Sequence, residues 1–229
     1  MTTRLTRLML CALLFLSILS CKKDSSKVDQ NLIYQKYLIY YDSNSDVTTV
    51  TAIFTQENES GKKLELSGNS NVTINGELIK MDSGNYSYKK QGKLESVPIV
   101  FTDTEGKQYS NTVNLSNSIS LDDKYYVEKT KNMNWYFDGE SIDANETINL
   151  TIASKVKSSD DNYKFKTFSS TTAKSYYVTC KATDLYEYPD GEAEASISRV
   201  KSSNSGNFTN VGGEIVATYK GLTDIIYLY

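Results

Sequence analysis

Histidine is absent from the 229 residues, and the chain holds only two prolines and three cysteines. Without an imidazole, neither a Ser-His-Asp nor a Cys-His nucleophile can be assembled. The His-containing zinc sites are excluded as well. Cys180 is the one cysteine after residue 21 and cannot build a cysteine metal cluster alone. Long apolar runs are missing after residue 21, where nothing approaches the roughly 20 apolar residues that cross a bilayer as a helix. Arginine is scarce too: beyond Arg4 and Arg7 only Arg199 occurs.

What is present starts at the front. Arg4 and Arg7 precede Leu8–Leu19, an apolar run broken only by Ser17. The run is too short to span a membrane, and its order of parts is that of an export signal. It ends in "ILSC", Ile18–Cys21, followed by "KKDSSKVDQN". The latter is polar and without periodicity, so residues 21–31 are expected to form a flexible tether.

"ILSC" resembles the lipobox of bacterial lipoproteins, with Ile18, Ser20 and Cys21 matching that pattern. The resemblance implies that residues 1–20 are removed and that Cys21 is lipidated. Two or more acyl chains hold a protein stably on a membrane. "CKKD" is similar to the start of outer-membrane lipoproteins of Bacteroidetes. This implies an outer-membrane location, surface-exposed or periplasm-facing. If Cys21 carries lipid, Cys180 has no partner for an intrachain disulfide.

From Cys21 the chain has 209 residues, with 23 basic against 28 acidic side chains once Arg4 and Arg7 are removed. A net charge near −5 excludes a basic nucleic-acid face. Eighteen tyrosines with abundant Ser and Thr are the material of strands. Period-two alternation recurs. Val50, Ala52 and Phe54 share a face, as do Val97, Ile99 and Phe101, Ile148, Leu150 and Ile152, and Ile215, Ala217 and Tyr219. Cys180 shares one with Tyr176, Val178 and Ala182, which reads as a buried, inert thiol. Asn75-Gly76 is a strong hairpin signal, and Ser60-Gly61, Glu105-Gly106, Asp138-Gly139, Asp190-Gly191 and Gly212-Gly213 add further turns. The pattern predicts an all-β protein of two tandem Ig-like sandwiches, over 32–120 and 121–229. A single large sandwich is the alternative. Two such sandwiches behind a lipobox resemble surface lipoproteins of Bacteroidetes.

Chemistry is sparse. Ser-x-x-Lys occurs at Ser60/Lys63, Ser87/Lys90, Ser154/Lys157 and Ser198/Lys201. The Ser-Asp-Asn and Lys-Thr-Gly motifs that accompany this spacing in β-lactamases are absent. Asp42, Asn44 and Asp46 alternate as in a calcium loop, but Val47 and Ile53 stand where Gly and Glu are required. A polar turn is the expected reading, with no metal and no cofactor. "KYYVEKTKNMNWYFDG" concentrates Tyr125, Tyr126, Trp135 and Tyr136, either as a ligand platform or as core and interface packing. Arg199 lies on the apolar face of Ala193, Ala195 and Ile197, suited to a salt bridge at a strand end or to capture of an anionic group. The expectation is a non-enzymatic binding or structural module acting through protein–protein contact. A glycan-binding accessory of polysaccharide uptake, or an envelope immunity protein, is the alternative.

Overall fold

The structure is a computed structural model, and it describes residues 23–122, 126–159 and 161–229. The first half contains β1 (Lys23–Asp24), β2 (Ile33–Asp42), β3 (Val47–Gln56), β4 (Leu64–Glu65), β5 (Asn71–Ile74), β6 (Glu77–Leu78), β7 (Met81–Asp82), β8 (Asn85–Gln91), β9 (Ser96–Thr102) and β10 (Gln108–Asn114). The second contains β11 (Ile119–Leu121), β12 (Tyr126–Val127), β13 (Met133–Gly139), β14 (Glu146–Ser154), β15 (Phe165–Ser170), β16 (Tyr177–Cys180), β17 (Gly191–Ser203) and β18 (Gly213–Leu228). One helical turn, Ala182–Leu185, precedes β17. The protein is all-β. No helix among the described residues is long and apolar enough to cross a membrane.

The strands form where apolar and polar residues alternate, because successive side chains point to opposite faces. In β14, Ile148, Leu150 and Ile152 are fully buried while Thr147, Asn149 and Thr151 are half-exposed. Val50, Phe54, Ile99 and Phe101 follow the same rule in β3 and β9. Asn75 and Gly76 adopt φ of 52° and 81° in the β5–β6 turn. That is the left-handed pair a tight hairpin requires.

A nine-stranded sheet runs through the molecule in the order β15-β14-β17-β18-β2-β3-β8-β7, with β12 also on β18. A four-stranded sheet, β10-β9-β5-β6, covers one half of it, and a three-stranded sheet, β11-β13-β16, covers the other. Two cores result. One takes residues from Val28 to Leu115 together with Ala217, and the other takes Ile119 to Leu228.

The expected tandem sandwiches therefore share a sheet. Residues 213–220 of β18 pair in parallel with 35–42 of β2, while 215–228 of the same strand pair with β17. A bulge between Ser196 and Ser198 marks the place where β18 passes from one core to the other. Gly221 is required there, since a Cβ would lie 2.5 Å from the Ile119 carbonyl oxygen.

The expected flexible tether is corrected from Lys23 onward; Cys21, Lys22 and the signal lie outside the described residues. β1 pairs in parallel with β4. Two single-turn 3-10 segments follow, capped by the carboxylates of Asp24 and Asp29, which accept from the Ser26 and Asn31 amides at 2.9 Å. Ser25 is fully buried, and Val28 and Gln30 nearly so. Polar composition suggested solvation, but these side chains bond to the protein's own backbone instead.

Candidate functional site

Of the candidate site residues, Cys21 and Tyr125 lie outside the described residues. Trp135 is 1% exposed, because β13 turns Trp135 and Phe137 into the second core and Asn134, Tyr136 and Asp138 outward. It presents no ring face to a ligand. Tyr136 is exposed and forms an edge-to-face pair with Tyr177, centroids 5.6 Å apart, on the outer face of the three-stranded sheet. Tyr126 is exposed on the opposite layer, paired with Tyr227. The aromatic-rich stretch is thus divided among a core and two separate surfaces.

Arg199 is fully buried; it makes the expected salt bridge, but in the interior and not at an exposed strand end, and this rules out capture of an anionic ligand. Its guanidinium donates to Glu146 Oε2 at 2.6 Å, to the Ser141 carbonyl at 3.3 Å and to the Glu140 carbonyl. Phe137 lies beneath it, with its ring centroid 5.9 Å away. Arg199 registers with Tyr219 of β18, which packs against both cores, and its carbonyl accepts the Ser116 hydroxyl at 3.0 Å. The residue ties the two cores together and is closed to ligand.

In three of the four serine–lysine pairs the lysine faces another partner. Lys63 donates to Asn85, Lys157 pairs with Asp161, and Lys201 lies 3.6 Å from Glu146. The Asp42–Asp46 stretch is a polar turn. Asp42 Oδ1 accepts from the Asn44 backbone and side chain, and Asp46 accepts the Tyr41 hydroxyl at 2.8 Å. Among the described residues no group of three His, Cys, Asp or Glu side chains is placed to hold a metal ion. An open cleft of about 520 Å³ between Asp143–Thr147 and Ser202–Ser205 is lined by hydroxyls, amides and carboxylates. The Glu146 carboxylate in it is already committed to Arg199.

Exposed aromatic surface has a different centre. Among the described residues only Tyr40 and Leu78 are large, exposed apolar side chains before residue 120; every other one follows it. The register gathers many of these at one end of the large sheet. Gly191 faces Leu228, Ser154 faces Ala193, and Ala153 faces Phe165. The 155–164 loop, the 186–190 loop, β12 and the C-terminal residues are therefore side by side. Gly191, at φ +127°, admits the close approach of Val156, whose Cγ2 would lie 3.0 Å from a Cβ. Lys129 pins β12 to the 186–190 loop through the Tyr188 carbonyl at 2.7 Å and Asp190 at 2.5 Å. Tyr188 is buried beneath, with its hydroxyl on the Ile152 carbonyl.

On this frame Tyr126 and Tyr227 stack with centroids 5.8 Å apart and planes 29° apart. Tyr227 donates to Glu192 Oε1 at 2.9 Å. The hydrogen-bonded carboxylate raises the phenol's pKa above its ordinary value, so the hydroxyl stays protonated. Tyr126, Gly191 and Tyr227–Tyr229 enclose an open concavity of about 660 Å³, mostly apolar. Tyr163, Phe165 and Tyr186, in the adjoining loops and at the start of β15, are 61%, 77% and 74% exposed.

No family model and no curated protein matches this chain. The site's chemistry accordingly rests on its own side chains. It offers exposed amphipathic rings and a few hydrogen-bonding groups. Of the sequence candidates only Tyr126 belongs to it. Tyr163, Phe165, Tyr186, Tyr227 and Tyr229 were missed, although "IIYLY" at the C-terminus alternates in a way that exposes Tyr227.

Proposed function

We propose that the chain is a non-enzymatic, protein-binding module of the bacterial cell envelope, held on the outer membrane by lipid at Cys21. The carrying observation is the concentration of exposed tyrosine and phenylalanine at the β12–β18 end. Tyrosine presents large contact area while losing only two side-chain torsions on binding, and its hydroxyl can still bond. Clusters of such rings around a concavity carry most of the energy at protein interfaces. The lipobox resemblance supports the anchor.

A photo-crosslinking amino acid in place of Tyr126 tests this in intact cells. A discrete protein adduct is expected there and not with the same residue at Tyr40. The adduct should disappear when Tyr227 and Tyr229 are changed to alanine, with the melting temperature held. Equal adducts at both positions, or none, would remove the reading.

One observation favours a glycan as the second reading. Tyr126 and Tyr227 are exposed and stacked on each other, and a sugar ring could add to that stack on an outward ring face. Retardation of the purified protein in polysaccharide-containing gels, lost in Tyr126→Ala, would support it. The protein reading is preferred because exposed aromatic side chains also stand in the neighbouring 155–164 and 186–190 loops and at the start of β15, more than one sugar platform uses.

A further inference from the structure

The docked segment begins two residues after Cys21. Lys23 registers with Leu64 in β4, its amide donates to the Lys63 carbonyl at 3.2 Å, and its ammonium donates to Gln56 Oε1 at 3.0 Å. Asp24 accepts from the Ser26 amide and hydroxyl at 2.9 and 2.7 Å and from the Ser67 hydroxyl. Ser25 is fully buried, and its hydroxyl accepts the Ser67 amide at 3.0 Å. Gln30 locks the next turn, donating to the Ser25 and Val28 carbonyls and accepting from the Thr104 amide.

Two residues of trans chain reach at most about 7 Å. A flexible ten-residue tether would instead allow a root-mean-square separation of roughly 17 Å. We propose that the corner built by β1, β4 and Ser67–Asn69 is a membrane-seating surface, in direct contact with the lipid headgroups of the leaflet that holds the Cys21 acyl chains. This rests on the lipid-anchoring reading above. The corner is polar, as a headgroup surface requires. Lys27, Lys62 and Lys63 are exposed on it beside Glu65, while the Asp24 carboxylate is spent on Ser26 and Ser67.

The same geometry orients the recognition end. Lys23 meets Gln56, Gln56 registers with Ile33, and Gln35 registers with Gly213, the first residue of β18. β18 then runs sixteen residues to Leu228. At about 3.3 Å per residue that is roughly 50 Å. A single strand thus joins the seated corner to the tyrosine end, which becomes the membrane-distal pole.

The test uses the lipidated chain reconstituted in vesicles of phosphatidylethanolamine and phosphatidylglycerol carrying a headgroup quencher. A fluorophore is placed through Glu65→Cys or, separately, Tyr186→Cys; Cys180 is buried and escapes labelling. Quenching at position 65 should exceed that at 186 at least threefold. Ten Gly and Ser residues inserted between Lys22 and Lys23, which leave β1 intact, should at least halve it. A vesicle-bound chain quenched equally at both positions, or one indifferent to the insertion, overturns the inference alone. A chain that does not sediment with the vesicles overturns the anchoring reading, and the seating with it.

Discussion

Replacing Arg199 by methionine should be among the most damaging single changes in the chain. The guanidinium and the Glu146 carboxylate are 0% and 1% exposed, 2.6 Å apart. Removing one partner of a buried pair leaves an uncompensated charge, at a cost of about 3–5 kcal/mol. Lys201 moderates this, because its half-exposed ammonium stands 3.6 Å from Glu146 Oε1 and can turn toward it. The loss of donors to the Glu140 and Ser141 carbonyls adds to it, at about 1–3 kcal/mol for a group left buried and unsatisfied. A net loss of about 4 kcal/mol is expected, against a total stability on the order of 5–15 kcal/mol.

Urea denaturation followed through Trp135, the single and buried tryptophan, measures it. The companion variants are Glu146→Leu and the double replacement. The double should lose at least about 2 kcal/mol less than the two singles summed, since neither charge is then stranded. Single effects that add to within about 0.5 kcal/mol would refute the pair as a coupled unit. So would an Arg199→Met change costing under about 1 kcal/mol, because the stranded carboxylate alone should exceed that.

Trp135→Ala should cost about 3–5 kcal/mol, as a large core truncation does. Tyr136→Ala should cost only about 0.5–1.5 kcal/mol, the worth of its pairing with Tyr177. Similar losses in denaturant melts would contradict the inward-outward alternation of β13. The Asp24 carboxyl is held down to about 2, chiefly by the Ser67 hydroxyl and then by Ser26. Its folded pKa lies below the unfolded value of 3.8, so its contribution is present above that value and is lost as pH falls toward 2. The Ser26 amide should lose exchange protection across that window, and Asp24→Asn should abolish the pH dependence. Protection undiminished well below pH 2, where the carboxyl is protonated, would show that the segment docks without its charge.

The alternating strands, their inward faces and the Asn75-Gly76 turn are legible in the sequence, because each depends on neighbours within a few residues. Burial of Cys180 follows from the same alternation. Trp135 shows where legibility stops. Its parity with Phe137 was visible, but which face of β13 met a second sheet was not. Arg199 was placed on an apolar face by the same parity, yet its partner Glu146 lies 53 residues away.

The front of the chain separates most sharply into what was readable and what was not. "ILSC" carries its own local chemistry, and from sequence alone Cys21 is the expected lipid anchor. The polar run behind it reads as a tether by composition, and composition does not reveal that Asp24 and Ser25 meet Ser67, more than forty residues on. Residue order is enough for an all-β chain, its strand faces, and the absence of imidazole chemistry. The pairing of β18 with β2 across more than 170 residues, which fuses two cores on one sheet, emerges from the fold alone. So does the convergence of tyrosines from β12, two loops and the C-terminus at one end. Alternation is a property of each strand's own covalent geometry, whereas register between distant strands depends on the packing of the whole chain.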